Sequence, residues 1–177
     1  MMNHSNSLTL TGVERFFKPN EVIVSKTDLK GRITYANEIF QRIAGYTEQE
    51  LLGQPHSIVR HPAMPRCVFK LLWDTLEAGE EIFAYVINRA KNGDHYWVFA
   101  HVTPSFDEQG NIISYHSSRR VPRRDVVEGV ITPLYKQLLD AENSFENSKE
   151  GMAVSFQAVL DLLNEKGVGY DELIFSL

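Results

Sequence analysis

The sequence is short of most features that announce a compartment or a chemistry. It has one cysteine, Cys67, in 177 residues. That excludes an intramolecular disulfide and any metal site built on several thiolates, and it suits a reducing compartment. No apolar run approaches the roughly 20 residues needed to span a bilayer. The opening Met1-Met2-Asn3-His4-Ser5-Asn6-Ser7 lacks the basic flank and apolar core of a signal peptide. A cytoplasmic protein with no membrane anchor of its own is the expectation. Positive charge is also in deficit, with 18 Lys and Arg against 23 Asp and Glu and a net charge of -5. The cations are scattered along the chain, so neither nucleic acid nor an anionic membrane is expected as a partner. A nucleophile elbow, a P-loop, metal-ligand spacings and a dinucleotide-binding glycine pattern are all missing, and the chain does not read as an enzyme.

What remains is an ordinary globular composition, 43% hydrophobic and 23% charged, enough for one domain plus an extra helical piece. Residues 1 to about 12 are polar and read as a loose tail. Val13-Glu14-Arg15-Phe16-Phe17 reads as one helical turn before Pro19, and residues 1–20 together form a tail or cap. A β-branched run at 21–27, the turn residues Asp28-Leu29-Lys30-Gly31 and the run 32–36 make a hairpin. Asn37 precedes a helically spaced set, Ile39, Phe40, Ile43 and Ala44, which Gly45 stops. Thr47-Glu48-Gln49-Glu50 matches a capping box, and Cys67 through Leu76 reads as a one-faced helix. The period then changes to about two. A strand over 82–89, the hairpin dipeptide Asn92-Gly93, a strand over 95–104, a turn at 107–110 and a strand from Ile112 to about Arg120 follow.

Hairpin, helical insert and meander give an α+β domain over 21–122, a five-stranded antiparallel sheet with short helices on one face. The space between that face and the helices is the expected pocket. Its wall is the stretch 53–65, where Pro55, Pro62 and Pro65 stiffen a loop carrying His56, Arg60 and His61. Held side by side, Arg60 and His61 offer several N–H donors to carbonyl or phosphate acceptors. A solvated surface connector is the competing reading. Residues 123–177 form a C-terminal helical extension, with 123–127 as linker and Thr132-Pro133 as a helix start. Leu138, Ala141, Phe145, Ser148, Met152, Ser155, Val159 and Leu162 fall at alternating spacings of three and four. They describe either a coiled-coil seam joining two copies in a homodimer or a helical hairpin folded back on the domain. The apolar end, with Leu173, Ile174, Phe175 and Leu177, is expected to dock.

The strings Ser25-Lys26-Thr27-Asp28-Leu29-Lys30-Gly31, Tyr35-Ala36-Asn37, Ala44-Gly45-Tyr46-Thr47, Gln54-Pro55-His56, Val59-Arg60-His61-Pro62, Asn88-Arg89 and Lys91 through Val98 occur in this order. Over about residues 20–122 the set resembles the FAD-binding PAS domain of bacterial aerotaxis receptors. The resemblance implies a PAS fold, non-covalent FAD, and a redox or oxygen signal passed to a partner protein by conformational change. It implies that Arg60 and His61 hold the polar part of the cofactor and that Asn37 and Asn88 meet the ring edge. For Asn37, a helix cap is the equal alternative. Arg89, with Lys91, is a candidate for the diphosphate, and Trp73 for a ring neighbour. Ala63 stands where the family pattern has Asp, and Ile82 where it commonly has Trp.

Two other readings stand beside this one. Haem, ligated by one of His56, His61, His95, His101 or His116, also suits a PAS pocket. A cofactor-free dimerisation module, working through the C-terminal helix, is the other. Blue-light adduct chemistry is disfavoured, because His56 and not a cysteine occupies the loop after the second helix.

Overall fold

The computed structural model describes residues 9–177. The chain runs β1 (Ile23–Thr27), β2 (Ile33–Ala36), α1 (Glu38–Ala44), α2 (Glu48–Leu51), a 3-10 turn (His56–Val59), α3 (Arg66–Glu77), β3 (Ile82–Arg89), β4 (His95–Phe106) and β5 (Ile112–Arg120). The strands form one antiparallel sheet in the order β2-β1-β5-β4-β3. Both sequence hairpins are present. At the β3–β4 turn Gly93 takes φ 96°, a backbone state that side chains rarely adopt. Asn37 caps α1, its side chain accepting from Phe40 N–H, and α1 buries Phe40, Ile43 and Ala44 against the sheet. The Thr47–Glu50 capping box opens α2 with both reciprocal bonds made.

The N-terminal segment differs from its reading. Residues 13–17 are extended, not helical: Glu14 pairs in parallel with His95, and Arg15 N–H donates to the His95 carbonyl. The competing force is Asp94. It accepts from Thr11 Oγ1 at 2.6 Å, Arg15 Nε at 2.8 Å and Asn92 Nδ2 at 2.8 Å, and so straps residues 9–15 along the hairpin. The earlier part of the tail lies outside the described residues.

The C-terminal region departs further. The expected linker at 123–127 is helical from Arg124 on, since α4 (Arg124–Val126), a π-helical stretch (Val127–Ile131) and α5 (Thr132–Asn143) run on continuously. Thr132 is therefore not an N-cap, because its preceding residue is already helical. Pro133 sits inside, where a normal helix would lose one bond and clash with the carbonyl four residues back; the π-helical stretch widens the turn just ahead of it. The coiled-coil seam is also absent. Helix α5 ends at Asn143, α6 (Ser148–Lys166) folds back on it, and Phe145 and Ser148 are exposed. The helical-hairpin reading is the one observed, so the seam no longer supports a homodimer. Gly151 is the crossing point, where a Cβ would stand 2.1 Å from the Glu142 carbonyl oxygen.

Helix α5 and the loop 60–65 cover the β3 edge. Tyr135 Oη donates to the Tyr85 carbonyl, Met64 Sδ accepts from Ile87 N–H at 3.4 Å, and Arg60 bridges Asn88 through the backbone. An open strand edge is thereby covered. The apolar end docks as expected: α7 (Tyr170–Ser176) buries Ile174 and sets Phe175 against Phe83 and Phe99, on the sheet face away from α3. The short helices of the domain thus lie on one face of the sheet, and the C-terminal extension reaches the other. Among the described residues no helix is long and apolar enough to cross a membrane.

Candidate cofactor site

A cavity of about 690 Å³ lies between the sheet and α3, within the ordinary range for small-molecule sites of about 300–1,000 Å³. Strand alternation builds its floor. Ser25, Val86, Asn88, Ala100, Val102, Ser117 and Arg119 face inward, while their neighbours Tyr85, Trp97 and Phe99 face the C-terminal helices. The 3-10 turn and the residue before it supply Pro55, His56 and Val59, α3 supplies Phe69, Leu72, Trp73 and Leu76, and α6 contributes Met152. Trp73 meets Tyr115 edge-on, ring centroids 5.4 Å apart, and closes one end over Gly31. Apolar groups dominate the walls.

Among the charged lining residues the signs are one-sided. Lys30, Arg60, Arg66, Lys70 and Arg119 all line the cavity, and among the described residues no Asp or Glu does. An acidic protein has gathered five cations around one space. Their exposure is graded: Lys30 is exposed, Arg60, Arg66 and Lys70 are half-buried, and Arg119 is 2% exposed. Lys70 pairs with Asp74, and Arg66 with Glu142.

The six residues singled out in the sequence separate into two groups. Arg60, Trp73 and Asn88 line the cavity. Arg60 lies over the Phe69 ring at 4.4 Å, and burial lowers its pKa from the ordinary value. Asn88 is buried, and its amide makes no hydrogen bond to another described residue. Asn37, His61 and Arg89 do not reach the cavity. Asn37 Oδ1 accepts from Phe40 N–H and Val24 N–H while Nδ2 donates to the Val22 carbonyl, which commits three of the four hydrogen-bonding positions of its amide to the α1 cap and β1. His61 Nδ1 accepts from Ala63 N–H at 3.0 Å, so the ring closes its own loop, and burial takes its pKa down to about 4. Arg89 turns toward the Ile58 carbonyl at 3.5 Å, with Nε buried and unpaired. Lys91 binds Glu50 outside the cavity.

Sequence reasoning missed the group at the cavity floor. Arg119 Nη2 donates to Ser25 Oγ, its Nη1 lies 3.4 Å from His56 Nε2, and its guanidinium stacks on Phe40 at 4.5 Å. Ser25 Oγ stands 3.1 Å from the same His56 nitrogen. Two donors facing Nε2 make it the unprotonated nitrogen, so His56 is neutral with its proton on Nδ1. Burial and then the Arg119 charge hold its pKa down at about 3. Burial likewise brings Arg119 down to about 10. The signal available in the sequence was the alternation Tyr115, Ser117, Arg119, which puts the arginine on the face of the pocket.

Glu142, 1% exposed, was missed too. α3 has no capping side chain of its own, Pro65 holding the N-cap position. Glu142 replaces it from α5, accepting from Arg66 N–H at 3.0 Å, Cys67 N–H at 2.9 Å, Arg66 Nε at 3.2 Å and Ser155 Oγ at 2.9 Å. One carboxylate therefore joins α3, α5 and α6 beside the cavity. Cys67 is buried behind this wall, and burial pushes its thiol up to about 11, the opposite of a poised nucleophile.

Residues 33–119 match the profile of the PAS fold. These residues form a PAS domain. The chain is 45% identical to the aerotaxis receptor of Escherichia coli K12 over 132 residues, 75% of this chain and 26% of the receptor. It is 33% identical over 99 residues to the nitrogen fixation regulatory protein of Klebsiella pneumoniae, 56% of this chain and 20% of that protein. The chain thus spans about a quarter or less of the length of these curated relatives. In three dimensions the PAS domain is similar to the dark-state LOV domain of the blue-light photoreceptor Aureochrome1, with TM-score 0.56 at 22% identity. That match covers 65% of this chain and 86% of the other, and it shows the fold.

Proposed function

We propose that this PAS domain binds FAD non-covalently and passes the redox or oxygen state of its surroundings to a partner protein through the C-terminal helices. The observation that supports this reading most is the apolar cavity whose charged lining is five cations and no acid. An isoalloxazine ring needs apolar walls with a few fixed donors, and a diphosphate needs cations where it meets water. Arg60 and Asn88 would hold the polar edges, and Trp73 would cover the end of the ring. Lys30 and Lys70, nearest to solvent, replace Arg89 as candidates for the phosphates. Asn37 and His61 act one layer out, fixing the α1 entry and the loop that carries Arg60. A bound flavin would supply reversible electron uptake.

The route outward is short. Met152 of α6 touches the cavity, and the Glu142 clamp ties α5 and α6 to the first turn of α3, which carries Arg66 and Phe69. A change of ligand charge moves this hairpin only by the difference in affinity between the two arrangements. The aerotaxis receptor's name is consistent with such a role.

The test compares FAD content after reconstitution. Arg60→Ala and Asn88→Ala are expected to retain less FAD than the parent, at least tenfold weaker in titration. Parent-like affinity in both variants would remove these residues from the site.

A further inference from the structure

Arg119 is the most enclosed charge lining the cavity, and its surroundings do not neutralise it. A buried guanidinium ordinarily meets a carboxylate, because an unpaired charge away from water costs several kcal/mol. Arg119 instead has the Ser25 hydroxyl, the unprotonated nitrogen of a neutral histidine and the face of Phe40. Among the described residues its Nε has no hydrogen-bond partner. Among the described residues no carboxylate lines the cavity, and the acids that pair with Arg66 and Lys70, Glu142 from α5 and Asp74 of α3, sit at the α3 wall, not at the sheet floor. Neutral His56 accepts rather than competes, so the floor keeps a net positive charge at neutral pH.

We infer that Arg119, oriented by Ser25 and His56, is the charge that meets the electron-rich carbonyl-and-nitrogen edge of the bound ring and sets how readily the ring takes up electrons. This rests on the flavin reading above and divides the other four cations by task, Arg60 keeping the polar edge assigned to it there. The solvent-side group, Lys30, Arg66 and Lys70, contributes affinity through phosphate. Arg119 discriminates between the oxidised and the electron-loaded ring, since a fixed cation in a low-dielectric site stabilises the form with more negative charge. Its enclosure makes that preference insensitive to salt, whereas the solvent-side contribution is screened.

The readout is the midpoint potential of the FAD-loaded protein, followed by anaerobic reduction beside a reference dye, together with the affinity for oxidised FAD. Arg119→Met is expected to weaken binding of reduced over oxidised FAD at least tenfold. For a two-electron couple that lowers the potential by about 30 mV or more. Arg119→Lys keeps the charge and restores most of the potential. Lys70→Gln weakens FAD binding and leaves the potential in place. A purely structural arginine would lose stability and affinity without moving the potential, and that result would overturn the inference. Should Arg119→Met fail to fold, the parent protein decides the matter by vibrational spectroscopy. Carbonyl bands of bound FAD shifted down in frequency from free FAD are expected, and unshifted bands would be the contrary result. A protein that takes up no flavin defeats the functional reading and this inference together, while a yellow protein indifferent to Arg119 defeats only the second.

Discussion

Replacing Glu142 with alanine is expected to unfasten the C-terminal hairpin from the PAS domain. The carboxylate is 1% exposed and accepts four hydrogen bonds, two of them from backbone N–H groups in the first turn of α3. Hydrogen bonds to a charged group contribute about 1.5–3 kcal/mol each, but they are not additive when one group serves them all. Breaking a buried charged network by removing one partner costs about 3–5 kcal/mol, and that is the destabilisation expected for Glu142→Ala. Ser155→Ala removes one donor and leaves the carboxylate three, so about 1 kcal/mol is expected. Urea unfolding measures both.

Hydrogen exchange adds a local readout, with protection lost at the Arg66 and Cys67 amides in Glu142→Ala and kept in Ser155→Ala. The pH dependence has a defined sign. Burial alone would raise the Glu142 pKa, but the Arg66 and Cys67 amides, Ser155 and the Arg66 guanidinium outweigh it and hold it below the ordinary 4.5. Its stabilisation is therefore complete above about pH 4.5 and disappears as pH falls through the depressed value. Glu142→Gln should lack that acid limb. A loss below about 1 kcal/mol in Glu142→Ala, with amide protection intact, would refute the clamp.

Two further outcomes follow from groups outside the cavity wall and on it. Asp94→Asn loosens the strap over residues 9–15, because three donors converge on that carboxylate; limited proteolysis should cut the segment faster while the sheet stays protected, and unchanged cleavage would show that the strap is held otherwise. His56 and His61 are neutral in the fold, with pKa values down at about 3 and about 4. The unfolded chain binds their protons first, so stability falls as pH drops from about 6.5, by about 1.4 kcal/mol per pH unit for each proton. Denaturation series between pH 7 and 5 check this, and His61→Gln should flatten the slope by about one proton.

The sheet and the first three helices were legible because each rests on local chemistry. Asn92-Gly93 demands its turn, Thr47 and Glu50 cap each other, and period-two alternation survives through β3 to β5. The C-terminal helices were misread by a small error of phase. Ile131 at the end of the π-helical stretch and Tyr135, Leu138 and Glu142 of α5 form one buried stripe, spaced four, three and four. A search for apolar residues alone passes over Glu142 and picks Ala141 and Phe145 instead. The helical turn expected at 13–17 lost to a long-range force, the Asp94 carboxylate, which no local pattern reveals.

The site divided along the same line. Arg60, Trp73 and Asn88 line the cavity, whereas Arg119 was hidden because a charged residue near a strand end reads as solvated. Cations at positions 30, 60, 66, 70 and 119 look scattered in the chain and converge only in the fold. Asn37 took the cap role that its place just ahead of the α1 pattern already offered.

The central claim is that this cavity takes a flavin. The visible spectrum of the purified protein, before and after incubation with FAD and passage through a desalting column, tests it most directly. The account predicts the two-banded flavin spectrum, retained at close to one FAD per chain and lost in Arg60→Ala. A Soret band would assign the cavity to haem, and a protein that stays colourless after FAD would contradict the account outright.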